Sequence, residues 1–396
     1  MSKSFGKYLM FLLSPILSLP LILRDLYSNK NSSLILISLT FGIVSFLYIP
    51  RESNDKAYYH LLYENLSSLD IQGFFIFLSE KPDFLFYTLL YLFSKSGIPI
   101  QFLFLFITAL TVWIWLFSFR KFTNHNNLKT KDYFIFLTLI LISFSIDHLI
   151  SGVRNYLAFS FILLGFLSSG INNNKTKGLL YIILAIAIHF SSIIFLPFYF
   201  IFILFPKRYN FYKFLFIFSF IFIITPRELL LQFADQLKLP SAIQNKAESY
   251  LGEKDFIENS LSIGNFNNYL KIFFYELWTF FAWAYLFITI NRKSIFRNLT
   301  YTSFAVSNLF YSAPDTYYRY ILVAQFFFLV LLLVEYDFYS KFLKFSKILL
   351  VVFALNLLGN IYVYREQFIK SYFNINSTTL ITILLKEDIT SKDFIK

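Results

Sequence analysis

Residues 98–117 read IPIQFLFLFITALTVWIWLF, twenty positions without a charged side chain. At about 1.5 Å of rise per residue, a helix of that length covers the roughly 30 Å hydrocarbon core of a bilayer. Outward from it, residues 133–146, 269–290 and 320–334 are almost as free of charge. The whole chain shares this character, with 57% hydrophobic and 15% charged residues and 55 phenylalanines among 396 positions. That balance lies far outside a soluble domain's. Two-residue alternation is absent, so a membrane barrel is excluded and a closed bundle of helices is left to satisfy the backbone in lipid. The fold class expected is an all-α, polytopic bundle with about 10–12 membrane segments, forming one integral membrane domain over residues 1–396.

Cysteine is absent, which excludes disulfides, thiolate nucleophiles and Cys-bound metals. With only four histidines a structural zinc site is not expected either. A formal charge of +12 raises nucleic acid as a partner, but the placement of the basic residues marks sidedness instead. The short connections 119–132, 170–178, 206–213, 291–297 and 336–347 hold fifteen Lys and Arg against Asp132 and Asp337. By the positive-inside rule they are cytoplasmic. Two long loops have the opposite balance, six acids to three bases over 51–83 and six to four over 226–268 and its flank, and should face outward. Spans are then expected near 33–50, 99–118, 133–149, 154–170, 209–225, 269–290, 297–313, 319–335 and 347–364, with an extracytoplasmic tail at 365–396.

Three segments fit this path less well. Residues 8–23 contain Pro15 and Pro20 and either span or lie in the interface. Residues 84–96 are too short to cross and precede Gly97 and Pro99, as a half-helix dipping from outside would. Residues 179–205 join two cytoplasmic loops, so they must enter and return, with a natural break at His189-Phe190-Ser191-Ser192. Broken helices are tolerated where protein or a wet cavity satisfies the freed backbone. Residues 227–239 read either as an amphipathic surface helix or as a plain connection.

Ionisable side chains at membrane depth are costly, so each is a functional candidate. Four groups stand out, all on the side opposite the basic connections. Arg51 and Asp55 precede Tyr58, Tyr59 and Tyr63, and helical spacing places Asp55, Tyr59 and Tyr63 on one face, suited to a hydroxyl-rich ligand or to an aromatic belt. Asp147, His148, Gly152, Arg154 and Asn155 mark the turn between two spans. Arg154 opens an apolar run; its fork either grips phosphate oxygens or snorkels to the interface. His189 with Ser191 sits at the expected break, as a structural or a catalytic residue. Tyr317, Tyr318 and Arg319 lead into another apolar run, and Glu276 is a buried carboxylate that an arginine would partner. Three arginines and a histidine at one outer level suit an anionic head group presented from the membrane, above all a diphosphate. Nucleotide-binding, metalloprotease and Ser-His-Asp motifs are absent from the sequence, so ATP-driven work has no support.

PRESNDKAYYHLLY at 50–63, KPDFLFYTLLYLFSKSGIP at 81–99, SGVRNYLAFSFILLGF at 151–166, AIAIHFSSIIFLPFYF at 185–200 and DTYYRYILVAQFF at 315–327 follow one another in an order that resembles the EpsG-like family of bacterial polysaccharide polymerases, functional relatives of the Wzy proteins. Asp55, Tyr58 and Tyr59 fall on its early Asp/Tyr loop, Arg154 on its Gly-Ile-Arg-Gln motif, His189 with Ser191 on its His-Ser hairpin, and Arg319 on its late Arg. Two departures are visible. Lys81-Pro82-Asp83-Phe84 replaces a Glu-Pro-Leu-Phe-like pattern, which leaves that half-helix's acid without an assigned role, and Asn155 replaces the usual Gln. The resemblance implies a GT-C-like membrane glycosyltransferase of the bacterial cytoplasmic membrane, acting on undecaprenyl-diphosphate-linked repeat units outside it. It also implies work alongside a flippase and a chain-length regulator, with no cofactor, metal or nucleic acid. Arg154, Arg319 and Arg51 would stabilise the departing diphosphate, His189 or Asp55 would serve as base, and Tyr58, Tyr59, Tyr317 and Tyr318 would stack on sugars. The rival readings are a flippase or transporter of the same lipid-linked sugars and a non-catalytic membrane subunit. Pseudo-symmetric halves, which a transporter would show, are not seen.

Overall fold

A backbone facing lipid must satisfy its own hydrogen bonds, and helices do so within one segment. The structure, a computed structural model, describes residues 3–28, 30–125, 130–144, 146–236, 248, 266–335, 343–372, 378–386 and 388–395. Among them the fold is all helical, without a sheet; the one extended pairing described is an isolated bridge between Arg51 and Ile395. Ile100–Lys121, Val153–Gly170 and Thr316–Val334 are long and apolar enough to cross a bilayer, and Ile348–Val363 with Arg365–Tyr372, bent by 71°, make a fourth if read as one broken span. The chain is thus a multi-span helical membrane protein. Helices also stand at the other expected spans, with one difference: the helix beginning at Thr130 stops at Ser143, and a separate short helix, Ile146–Ile150, follows it. The N-terminal apolar stretch is likewise broken, into Lys3–Leu13 and Leu19–Tyr27, with Pro20 in the first turn of the second piece. Of the loop at 226–268, expected to face outward, the described part includes the helix Arg227–Gln236, whereas 237–239 lie outside the described residues.

Two compact units are formed, Met1–Ser160 with Ala187–Phe190 and Asn360–Lys396, and Phe161–Ile186 with Ser191–Gly359. In the first, Asn31–Leu47 packs along Ile100–His125 at close range, because Gly42 carries no side chain: a Cβ there would meet the Leu105 carbonyl oxygen at 2.7 Å and the Ala109 Cβ at 3.1 Å. Gly42→Ala should therefore lower stability by about 1–3 kcal/mol through overpacking, read as a lower unfolding temperature of the detergent-solubilised protein. An unchanged temperature would mean the two helices separate without cost. The C-terminal stretch is fastened into this unit too. Tyr372 donates to the Val44 carbonyl at 2.8 Å, Ser371 Oγ accepts from the Ile49 N–H at 2.9 Å, and the Ile395 N–H reaches the Pro50 carbonyl at 3.0 Å.

In the second unit, Tyr209–Phe218 and Ile295–Leu309 run in the same direction, joined by the Phe216–Tyr301 ring stack and by Asn308 Nδ2 donating to Ser219 Oγ at 2.9 Å. Near the start of both, Asn298 donates to the Pro206 carbonyl at 2.8 Å. Arg297, which the sequence groups with the solvated cytoplasmic charges, is instead 1% exposed. It grips Glu335 with two nitrogens, Nη2 to Oε2 at 2.6 Å and Nε to Oε1 at 3.1 Å, while Nη1 donates to Thr289 Oγ1 at 2.9 Å. Tyr285 donates to the same carboxylate at 2.9 Å.

Candidate functional site

Pro82-Asp83 stands immediately before the apolar helix Phe84–Lys95, where an aspartate ordinarily caps the helix below it. Asp83 makes no such cap bond. Its side chain turns instead toward the helix break at His189, and it is 1% exposed. One oxygen, Oδ1, accepts the backbone N–H of Phe190, the first residue of the 3-10 turn Phe190–Ile194. A broken helix frees just such a backbone donor, and a carboxylate satisfies it better than a neutral group does. His189 Nδ1 faces the same oxygen at 3.7 Å, less than an ångström beyond hydrogen-bond length, and the ring is likewise 1% exposed.

The other oxygen, Oδ2, takes Arg154 Nη1 at 2.8 Å. Arg154 lies in the first turn of Val153–Gly170, a helix held to Ile100–His125 by Trp115 Nε1 donating to Ser160 Oγ at 2.9 Å. Its guanidinium also donates to the Tyr87 hydroxyl at 3.2 Å and lies over the rings of Tyr59, Phe86 and Tyr87 at 5.6, 5.8 and 5.9 Å. Aromatic faces favour a cation, and a weakly hydrated guanidinium tolerates such surroundings. Burial alone would raise the Asp83 carboxyl. The facing His189 ring, the Arg154 charge and the Phe190 N–H outweigh it and hold the group well below the usual carboxylate range. The carboxylate is therefore ionised at neutral pH. Next to this cluster in sequence, Asn155 is buried and its Oδ1 meets no donor among the described residues. A buried acceptor without a partner costs about 1–3 kcal/mol, and a bound hydroxyl would relieve it.

A family model described as the EpsG family matches residues 34–374. The chain belongs to the EpsG family. As an EpsG-family protein it is a polysaccharide polymerase of the Wzy type, serving exopolysaccharide biosynthesis as a multi-pass protein of the bacterial cytoplasmic membrane. Its substrates are of the lipid-linked glycan class that such polymerases elongate. None of the curated proteins and none of the solved structures compared with this EpsG protein matches it significantly.

Of the residues expected at the site, Tyr59, Arg154 and His189 are gathered around Asp83 in the first unit, with Asn155 beside them in sequence. Asp55 and Tyr58 are on the exposed face of Asp55–Ser68, and Arg51 is 3.6 Å from Glu366 near the C-terminal stretch. The side chain of Asp147 lies outside the described residues. The second unit carries its own cluster at the start of Pro314–Val334. Tyr317 and Tyr318 are buried, Arg319 is half-buried, and Tyr318 donates to Glu276 Oε1 at 3.4 Å. Glu276 thus has a tyrosine where an arginine was expected, and its Oε2 has no partner among the described residues. Tyr320 donates to the Ser191 carbonyl at 2.9 Å, which holds the Ser191 backbone within this second unit. Sequence reasoning missed Asp83 and Tyr87. The available signal was an acid placed to cap a short apolar helix, on the side to which charge sidedness also assigns Arg154 and His189.

Proposed function

We propose that this EpsG protein is a glycosyltransferase of GT-C-like architecture. It moves a polyprenyl-diphosphate-linked glycan onto a second lipid-linked repeat unit at the outer face of the cytoplasmic membrane, with Asp83, Arg154 and His189 at the reacting centre. One observation carries this reading: a buried, ionised carboxylate held between an arginine and the histidine of a broken helix. In the proposed step the acceptor hydroxyl oxygen attacks the anomeric carbon, and its proton passes to His189. The bond from that carbon to the diphosphate oxygen breaks, with its electron pair leaving on the diphosphate. Asp83 aligns the ring and stabilises the imidazolium once the proton has arrived, as a carboxylate paired with a histidine does elsewhere.

Arg154 then has a different task from the one its sequence suggests. With Asp83 on its Nη1 it is charge-balanced, so it positions the carboxylate. Within the first unit Arg51 is the candidate for the charge that develops on the departing diphosphate, and Arg319 is a separate anion-binding candidate of the second unit. In the first unit Tyr58 and Tyr59 offer faces for sugars and Asn155 an acceptor for their hydroxyls. The second unit by itself offers Tyr317, Tyr318 and Glu276 for the same tasks. A flippase would supply the substrate and a chain-length regulator would set the length of the product. Reconstitution with purified lipid-linked repeat units tests the assignment, with new glycosidic bonds as the expected result and transbilayer movement without bonds as the outcome of a flippase. In that assay His189→Ala should cut the rate by about 100-fold or more, the span of a general base, while Asp55→Asn stays within about tenfold of wild type. The reverse order of effects would move the base to Asp55.

A further inference from the structure

The second unit holds a cavity of about 60 Å³ at the end where the Tyr209–Phe218 and Ile295–Leu309 helices begin. At about 15 Å³ for one water-sized probe, that is room for several waters or one small oxyanion. Lys213, Arg292 and Lys293 line it together with the amides of Asn210, Asn291 and Asn298, and among the described residues the lining includes no carboxylate. Among the described residues neither Lys213 nor Lys293 forms an ion pair or a side-chain hydrogen bond. Asn298 is buried and held in place by the Pro206 carbonyl, and Tyr301, which completes the wall, is held at its hydroxyl by Arg297 at 3.4 Å.

Cations that serve only to fix topology are free to spread into water. Lys213 and Lys293 line one concavity without a counter-charge of their own among the described residues, so their mutual repulsion there is relieved when an anion enters. We propose that this cavity is a binding site for a phosphate oxyanion, taken from the head group of an anionic phospholipid or from a free phosphate. Both sources present the same tetrahedral oxygens to the ammonium groups, the guanidinium and the amide N–H donors. The basic connections at 206–213 and 291–297 are those that charge sidedness assigns to the cytoplasm, the face on which basic pockets between membrane helices meet lipid head groups. The inference concerns the second unit alone and does not depend on the Asp83 centre.

The full chain in neutral detergent is the material for the test, with thermal unfolding and native mass spectrometry as readouts. Titration with phosphatidylglycerol should raise the unfolding temperature and leave one phospholipid bound per chain, whereas phosphatidylcholine should do neither. Lys213→Gln and Lys293→Gln should each weaken the apparent affinity by about five-fold. Lys175→Gln with Lys177→Gln, exposed basic residues outside the cavity, should leave it unchanged. Inorganic phosphate that competes with the lipid and reproduces the shift assigns the site to free phosphate; lipid alone acting assigns it to the head group. Equal weakening by both pairs of substitutions, or no shift with any phosphate compound, overturns the proposal. If the cavity variants do not fold, the wild-type stoichiometry and the competition between phosphate and lipid still decide it.

Discussion

Asp83→Asn should leave a polymerase at least about 100-fold slower than wild type in reconstituted membranes, an effect of the size that a disabled acid–base pair produces. The substitution keeps shape and removes charge. Arg154 would then lie over three aromatic rings with 11% of its side chain exposed and no ion-pair partner among the described residues, a state that costs about 3–5 kcal/mol where a buried pair is broken from one side. An amide can still accept the Phe190 N–H, but it cannot stabilise a protonated His189. Two consequences therefore need separating. The double variant Asp83→Asn with Arg154→Gln removes both charges and should recover most of the lost thermal stability, yet polymer should not return. If polymer does return with the fold, Asp83 acts only by balancing Arg154, and His189 needs no partner.

The same geometry fixes the direction of pH dependence. The folded Asp83 carboxyl is held below its usual range, so its contribution is fully present above the ordinary carboxylate pKa of about 3.9 and is lost as pH falls through the lower folded value. Acid weakens the wild type through this group, and the double variant should have a flatter acid limb.

Much of the fold was legible because lipid permits few solutions. Charge-free runs of the right length mark helices, and the break at His189 could be read from two basic connections that charge sidedness assigns to one face, with a stretch between them too long for a single pass. Chemistry was harder to read, since a candidate list drawn from costly side chains does not say which of them already have partners. Arg154 and His189 stood out singly, and their common partner did not. Asp83 looks like an ordinary loop acid or an N-cap in sequence, and only the tertiary path of 187–190 shows that its carboxylate serves another segment. The resemblance itself obscured the residue, because the acid follows Pro82 where the family pattern places it ahead of the proline. Arg297 shows the converse error. Counted among solvated charges for topology, it is enclosed by protein, because Glu335 lies 38 positions later at the end of an antiparallel neighbour and no local pattern links the two.

That pair leads to the second large effect. Arg297→Met should destabilise the protein by about 3–5 kcal/mol, because Glu335, nearly as enclosed as the arginine, would lose both of its guanidinium contacts and, among the described residues, keep the Tyr285 hydroxyl alone. Arg297→Met with Glu335→Leu should restore most of that loss, since an apolar pair of similar volume removes the desolvation of two ions along with their attraction. Denaturation of the four proteins in one detergent gives the coupling energy directly as a double-mutant cycle. Additive losses would show that the pair contributes no mutual stabilisation and that its carboxylate already reaches water. Tyr301 links this network to the cationic cavity, but the Asp83 centre shares no residue with it. The restored double variant should therefore polymerise at close to the wild-type rate, whereas the Asp83 double variant, equally restored in stability, should not; that contrast separates an ion pair that holds the fold from one that serves the reaction.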